Sequence, residues 1–107
     1  MSTDLLRGKS VRWSYDDGPM AGKAFEHTFA DDGTVTWREA NEKSGLAVGG
    51  EASVRYEVAQ VTDAVYAVSY LAVSGWTLTT VVDRMSRKIV SIASNEKTLV
   101  IQRGKLI

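Results

Sequence analysis

The groups in this chain best suited to chemistry are four tyrosines and one histidine: Tyr15, Tyr56, Tyr66, Tyr70 and His27. A phenol donates a proton and an imidazole accepts one, so Tyr15 and His27 form a candidate acid and base. The same groups have a second use. In an apolar chamber, a few hydroxyls and an imidazole orient a bound molecule. A lone inward histidine is more often a hydrogen-bonded core residue than a catalyst, because catalysis also needs a partner within reach. A metal centre has poor material here. One histidine, no cysteine and no cluster of inward carboxylates make a weak ligand set. Without cysteine, disulfides and thiolate nucleophiles are excluded. Gly45, Gly49 and Gly50 lack the Lys-Ser/Thr ending of a phosphate loop and do not sit between a strand and a helix.

The elements that must carry these side chains read as strands. Val11, Trp13 and Tyr15 alternate with Arg12, Ser14 and Asp16, the period of a half-buried strand. That first strand lies in GKSVRWSYDDG, residues 8–18, and ends at Asp16-Asp17-Gly18-Pro19. The second, 23–30, puts Phe25, His27 and Phe29 on one face. Asp31-Asp32-Gly33 then predicts a tight hairpin, because Asp and Gly accept the positive φ such turns need. Strands over 34–39, 51–60, 64–72, 76–83, 88–94 and 97–103 complete a set of eight. Residues 40–50 hold three glycines and read as a long loop and flexible lid. Residues 104–107 read as a loose tail.

Short strands at about ten-residue spacing predict an all-β sandwich or barrel. No connection is long enough for a helical crossover, so neighbours pair antiparallel. An eight-stranded up-and-down barrel leaves no open edge and is the simplest solution. The 107 residues make one domain, residues 1–107.

One choice of face per strand gathers all nine aromatics inside: Trp13, Tyr15, Phe25, Phe29, Trp37, Tyr56, Tyr66, Tyr70 and Trp76. An eight-stranded barrel is either filled by side chains or holds one small ligand. The aromatics, with His27, Val68 and Leu78, are the candidate lining of a binding cavity. The expected partner is a small apolar or aromatic molecule, with no cofactor. With 13 basic and 13 acidic residues, no basic surface awaits a nucleic acid. No apolar run approaches the roughly 18 residues of a membrane-spanning helix. The absence of cysteine fits the cytoplasm. Outward apolar residues Val65, Leu71 and Val81 either pack under a loop or form a homodimer face, and the homodimer is the expectation.

The runs GKSVRWSYDDG, FADDGTVTWRE, VYAVSY and GWTLTTVVD resemble the lipocalin-like barrels of the calycin group. The resemblance is closest to the MoaF-like domains and more distant to the bacterial phenolic acid decarboxylases. It spans residues 8–94 and implies a lipocalin-like barrel. In the decarboxylases two tyrosines, an arginine and a glutamate are implicated in catalysis. Matched by motif, these fall on Trp13, Tyr15, Gly50 and Ala72, so one of the four is retained. Glycine cannot hold a carboxylate and alanine cannot transfer a proton, so that decarboxylation is not expected. The MoaF-like name implies a link to molybdenum cofactor genes, yet no residue set here suits molybdopterin. The resulting expectation is a non-catalytic binder. The alternatives are an enzyme using Tyr15 and His27, and a filled-barrel interaction module.

Overall fold

The computed structural model describes residues 5–40, 47–48 and 53–107. Among these residues there is no helix. The strands are β1 (Ser10–Tyr15), β2 (Ala24–Phe29), β3 (Thr34–Ala40), β4 (Ala47–Val48), β5 (Val54–Gln60), β6 (Val65–Leu71), β7 (Thr77–Asp83), β8 (Lys88–Ser94) and β9 (Leu99–Leu106). All pairings are antiparallel. The ring runs β1-β2-β3-β5-β6-β7-β8-β9 and closes through β1 against β9. This is the expected closed barrel of eight strands in up-and-down order. β4 is a two-residue addition on β3, inside the stretch expected to be loop. The rest of the expected lid, residues 41–46 and 49–50, lies outside the described residues.

Short side chains close the hairpins. Asp32 Oδ1 accepts from the Thr34 amide at 3.1 Å and its hydroxyl at 2.6 Å, while Gly33 takes φ +87°. Asp83 and Asn95 cap their turns in the same way, each accepting two backbone N–H groups. These local bonds explain why the turns fall where Asp, Asn and Gly fall.

The expected loose tail is instead the second half of β9. Tyr15 stands opposite Gly104, Ser14 opposite Lys105 and Trp13 opposite Leu106. The reason is steric. A Cβ on Gly104 would lie 1.9 Å from the Ser14 carbonyl oxygen. The glycine that begins the expected tail is what lets the two backbones meet.

The two ends of the barrel differ. One end is solid. Trp13, Phe29, Val35, Val68, Val82 and Ile89 are almost fully buried there. Burying one such side chain contributes about 1.5–3 kcal/mol. The turn over residues 5–8 plugs this end, with Leu6 buried in the same cluster and the Gly8 N–H bonded to the Phe29 carbonyl. On the outside, Glu26 accepts from Arg12 and Arg38 across β1, β2 and β3. The hydrogen bond from Arg38 chiefly holds its carboxyl below the usual range. β6 to β9 present a different exterior. Ala67, Val81, Val90, Ile92 and Ile101 stand in cross-strand register there, with Ser69 bonded to Thr79.

Candidate functional site

The other end of the barrel is hollow. A cavity of about 350 Å³ opens between the β1–β2 loop, the β6–β7 turn and the start of β9. Its walls are Tyr15, Phe25, His27, Trp37, Tyr70, Ala72, Trp76, Leu78, Ala93, Val100 and Gln102, with Pro19, Met20 and Ser74 at the rim. No Asp, Glu, Lys or Arg is among them. Period two explains the set: each wall residue on a strand shares parity with the solid core below it.

Seven of the twelve expected residues line this cavity: Tyr15, Phe25, His27, Trp37, Tyr70, Trp76 and Leu78. The other five do not. Trp13, Phe29, Tyr56, Tyr66 and Val68 are buried in the solid half. Period two gives a side chain's face but not its depth along the barrel. Trp13 still touches the site from beneath. Its ring stacks on His27 with centroids 4.1 Å apart and planes at 23°.

His27 is the hub of the aromatic wall. Register on β2 sets it beside Trp37 on β3. Its ring centroid is 6.4 Å from that of Trp37 and 5.8 Å from that of Tyr70. Across the barrel its Nε2 pairs with the Tyr70 hydroxyl at 2.8 Å. Its Nδ1 is buried with no hydrogen-bond partner. Burial lowers its pKa from 6.5 to about 3, so it is neutral at ordinary pH.

A second chain of groups holds Tyr15. Trp13 Nε1–H donates to the Tyr15 hydroxyl at 3.0 Å. That hydroxyl also bonds Ser91 Oγ at 2.9 Å, and Ser91 bonds Thr80 Oγ1 at 2.8 Å. Burial raises the Tyr15 pKa, partly offset by the bonds to Ser91 and Trp13. Burial pushes Tyr70 higher still, with the nearby Tyr15 adding to it. Both phenols are therefore protonated, neutral groups. Tyr15 and His27, the candidate acid and base, are hydrogen-bonded to different partners. A neutral imidazole with a pKa near 3 is also a weak base.

Ser91 and Gln102 escaped the sequence reading. Both sit at inward parity on β8 and β9, and that parity was the only signal available. Gln102 anchors the mouth. Its Oε1 accepts the Met20 N–H at 2.8 Å, and it packs against Gly18, where a Cβ would come within 2.6 Å of Gln102 Cγ. Gly18 also takes φ +76°, a conformation that favours glycine. Ala72, the position matched to a decarboxylase glutamate, is part of the cavity wall. Gly50, matched to the arginine, lies outside the described residues. No group of three or more histidine, cysteine or acidic side chains stands close enough to hold a metal ion, among the described residues. No helix among them is long and apolar enough to cross a membrane.

Fold and cavity together define the class: a small closed antiparallel β-barrel, solid at one end and hollow at the other. The MoaF N-terminal domain matches residues 1–98, and the chain belongs to that family. No curated protein matches. Among solved structures it is similar to a Burkholderia vietnamiensis protein described provisionally as a β-lactamase. That likeness has a TM-score of 0.75 at 15% identity and covers 100% of this chain and 98% of the other. At such identity it speaks for the fold.

Proposed function

We propose that this MoaF-type barrel binds a small apolar or aromatic molecule in its hollow end, without catalysing a reaction. The observation that carries this reading is the cavity of about 350 Å³ with aromatic, uncharged walls. That volume falls within the range of pockets for small organic ligands. Phe25, Trp37 and Trp76 offer ring faces for stacking, and Tyr15 and Tyr70 offer hydroxyls for orientation. The enzyme reading has less support, since His27 is buried, neutral and bonded to Tyr70 rather than Tyr15.

Tryptophan fluorescence tests the proposal, because Trp37 and Trp76 line the cavity and Trp13 lies beneath it. Titration with naphthalene and with indole is expected to give a saturable change for at least one of them. Ala93→Phe, which fills space opposite Leu78, is expected to weaken that binding at least tenfold while the barrel still melts cooperatively. A wild-type protein whose emission responds to neither probe would sink the reading.

A homodimer is the second reading. Its support is the outer face of β6 to β9, where Ala67, Val81, Val90, Ile92 and Ile101 adjoin Ser69 and Thr79, with Arg103 opposite Val90. The guanidinium of Arg103 beside this apolar face is already paired with Asp17. Equilibrium sedimentation is expected to return twice the chain mass of 11.7 kDa, and Ile101→Lys to return it once. A wild-type protein that sediments as a monomer at high micromolar concentration ends this reading.

A further inference from the structure

The hydrogen bonds around the cavity leave a buried phenol donor unspent, and that donor bears on the ligand's chemistry. His27 has two ring nitrogens and one partner. Buried N–H groups without an acceptor are rarer than acceptors without a donor. The proton therefore belongs on Nε2, where the Tyr70 oxygen accepts it at 2.8 Å, and the bare Nδ1 keeps its lone pair. In this tautomer Tyr70 receives a hydrogen bond from His27 and keeps its own O–H for another group. Tyr70 is buried and lines the cavity. Among the described residues, its hydroxyl bonds only to His27. Its proton is thus left for whatever occupies the cavity. The Tyr15 oxygen is likewise occupied by an indole N–H, which can only donate.

We propose that the cavity selects a neutral aromatic carbonyl compound, an aryl or cinnamyl aldehyde or ketone, whose oxygen accepts the Tyr70 hydroxyl proton. This rests on the binding function proposed above and names the ligand class. A ketone or aldehyde oxygen is an acceptor without a proton, which is what an unspent O–H requires. A carboxylate would accept as well, but no Lys or Arg lines the cavity to receive its charge, and the buried His27 is neutral. Burying an unpaired charge costs far more than one hydrogen bond returns. A hydrocarbon fits the walls and leaves the Tyr70 proton unpaired. His27 acts here as a positioning residue: it holds the phenol oxygen so that the proton points inward.

The test uses four probes of nearly one shape: cinnamaldehyde, cinnamyl alcohol, β-methylstyrene and cinnamate. Tryptophan fluorescence gives affinities, and the infrared carbonyl stretch of bound cinnamaldehyde reports its hydrogen bond directly. Cinnamaldehyde is expected to bind about fivefold more tightly than β-methylstyrene, the factor that one neutral hydrogen bond contributes. It is also expected to bind more tightly than cinnamyl alcohol and cinnamate. Its carbonyl stretch should fall on binding to the wild-type protein. Tyr70→Phe is expected to erase the preference over β-methylstyrene and return the stretch to its value in an apolar solvent. The wild-type series and the stretch stand even if that variant folds poorly. Equal affinities for cinnamaldehyde and β-methylstyrene overturn the proposal and leave the binding function in place. Tight cinnamate binding also overturns it. If none of the four binds, the binding function falls with it.

Discussion

Gly104→Ala is expected to open the barrel at its seam. The added Cβ would stand 1.9 Å from the Ser14 carbonyl oxygen and 3.1 Å from the Tyr15 Cα. Both obstacles are backbone, so no side-chain rotation relieves the clash. β1 and β9 must move apart. The pairing at stake spans Trp13 with Leu106, Ser14 with Lys105 and Tyr15 with Gly104. It is flanked by bonds from the Asp16 N–H to the Arg103 carbonyl and from the Ile107 N–H to the Arg12 carbonyl. Several backbone bonds are lost together, and Trp13 loses its cover at the seam. A loss of about 3 kcal/mol or more is expected, the upper part of the range for single substitutions. In a domain of this size that lowers Tm by about 10 °C or more. Circular dichroism melts and urea titration measure it. An unchanged melting point would show that the seam tolerates separation.

Acid is expected to destabilise the barrel through His27 well before the carboxylates titrate. The imidazole has a pKa of about 3 when folded, against 6.5 when free. Between those values the unfolded chain binds a proton that the folded chain refuses. Stability therefore rises with pH across this window. It is complete above about pH 6.5 and is lost as the pH falls toward 3. The slope approaches about 1.4 kcal/mol per pH unit, so the loss reaches about 2 kcal/mol at pH 5. His27 is the chain's only histidine, so no other imidazole shares this window. Glu26, Asp32 and Asp83, whose pKa values are lowered, add their own acid losses further down. Urea titrations from pH 7 to 5 should show the slope in the wild type and none in His27→Phe. NMR of the imidazole Cε1–H should show no titration down to pH 5 in the folded protein. A titration near 6.5 would mean that the ring is solvated and the wall around it open.

Much of this barrel is legible in the chain because its physics is local. The alternation of Val11, Trp13 and Tyr15, and of Tyr66, Val68 and Tyr70, is visible without coordinates. So is the hairpin at Asp32-Gly33, where one carboxylate and one glycine set the turn. What escaped depends on distant partners. Trp13 and Trp37 have the same inward parity, yet one lies in the solid end and the other lines the cavity. The difference is axial position, which depends on register and on the Leu6 plug. Gln102 and Ser91 look unremarkable in sequence, because their roles depend on Met20 and Tyr15, over seventy residues away. The same holds for Gly104, whose requirement comes from the Ser14 carbonyl and not from its neighbours in the chain.

The Tyr15–Gly104 seam also sets a clock. Most neighbouring strands in the ring are joined by short turns and can pair early, at small entropic cost. β1 and β9 join residues from opposite ends of the described chain, so their encounter must wait for the hairpins between them. Contacts that form after the transition state leave folding speed nearly untouched and govern how often the native state comes apart. The seam is then a clasp fastened last, and the lifetime of the closed barrel is the time that clasp stays shut.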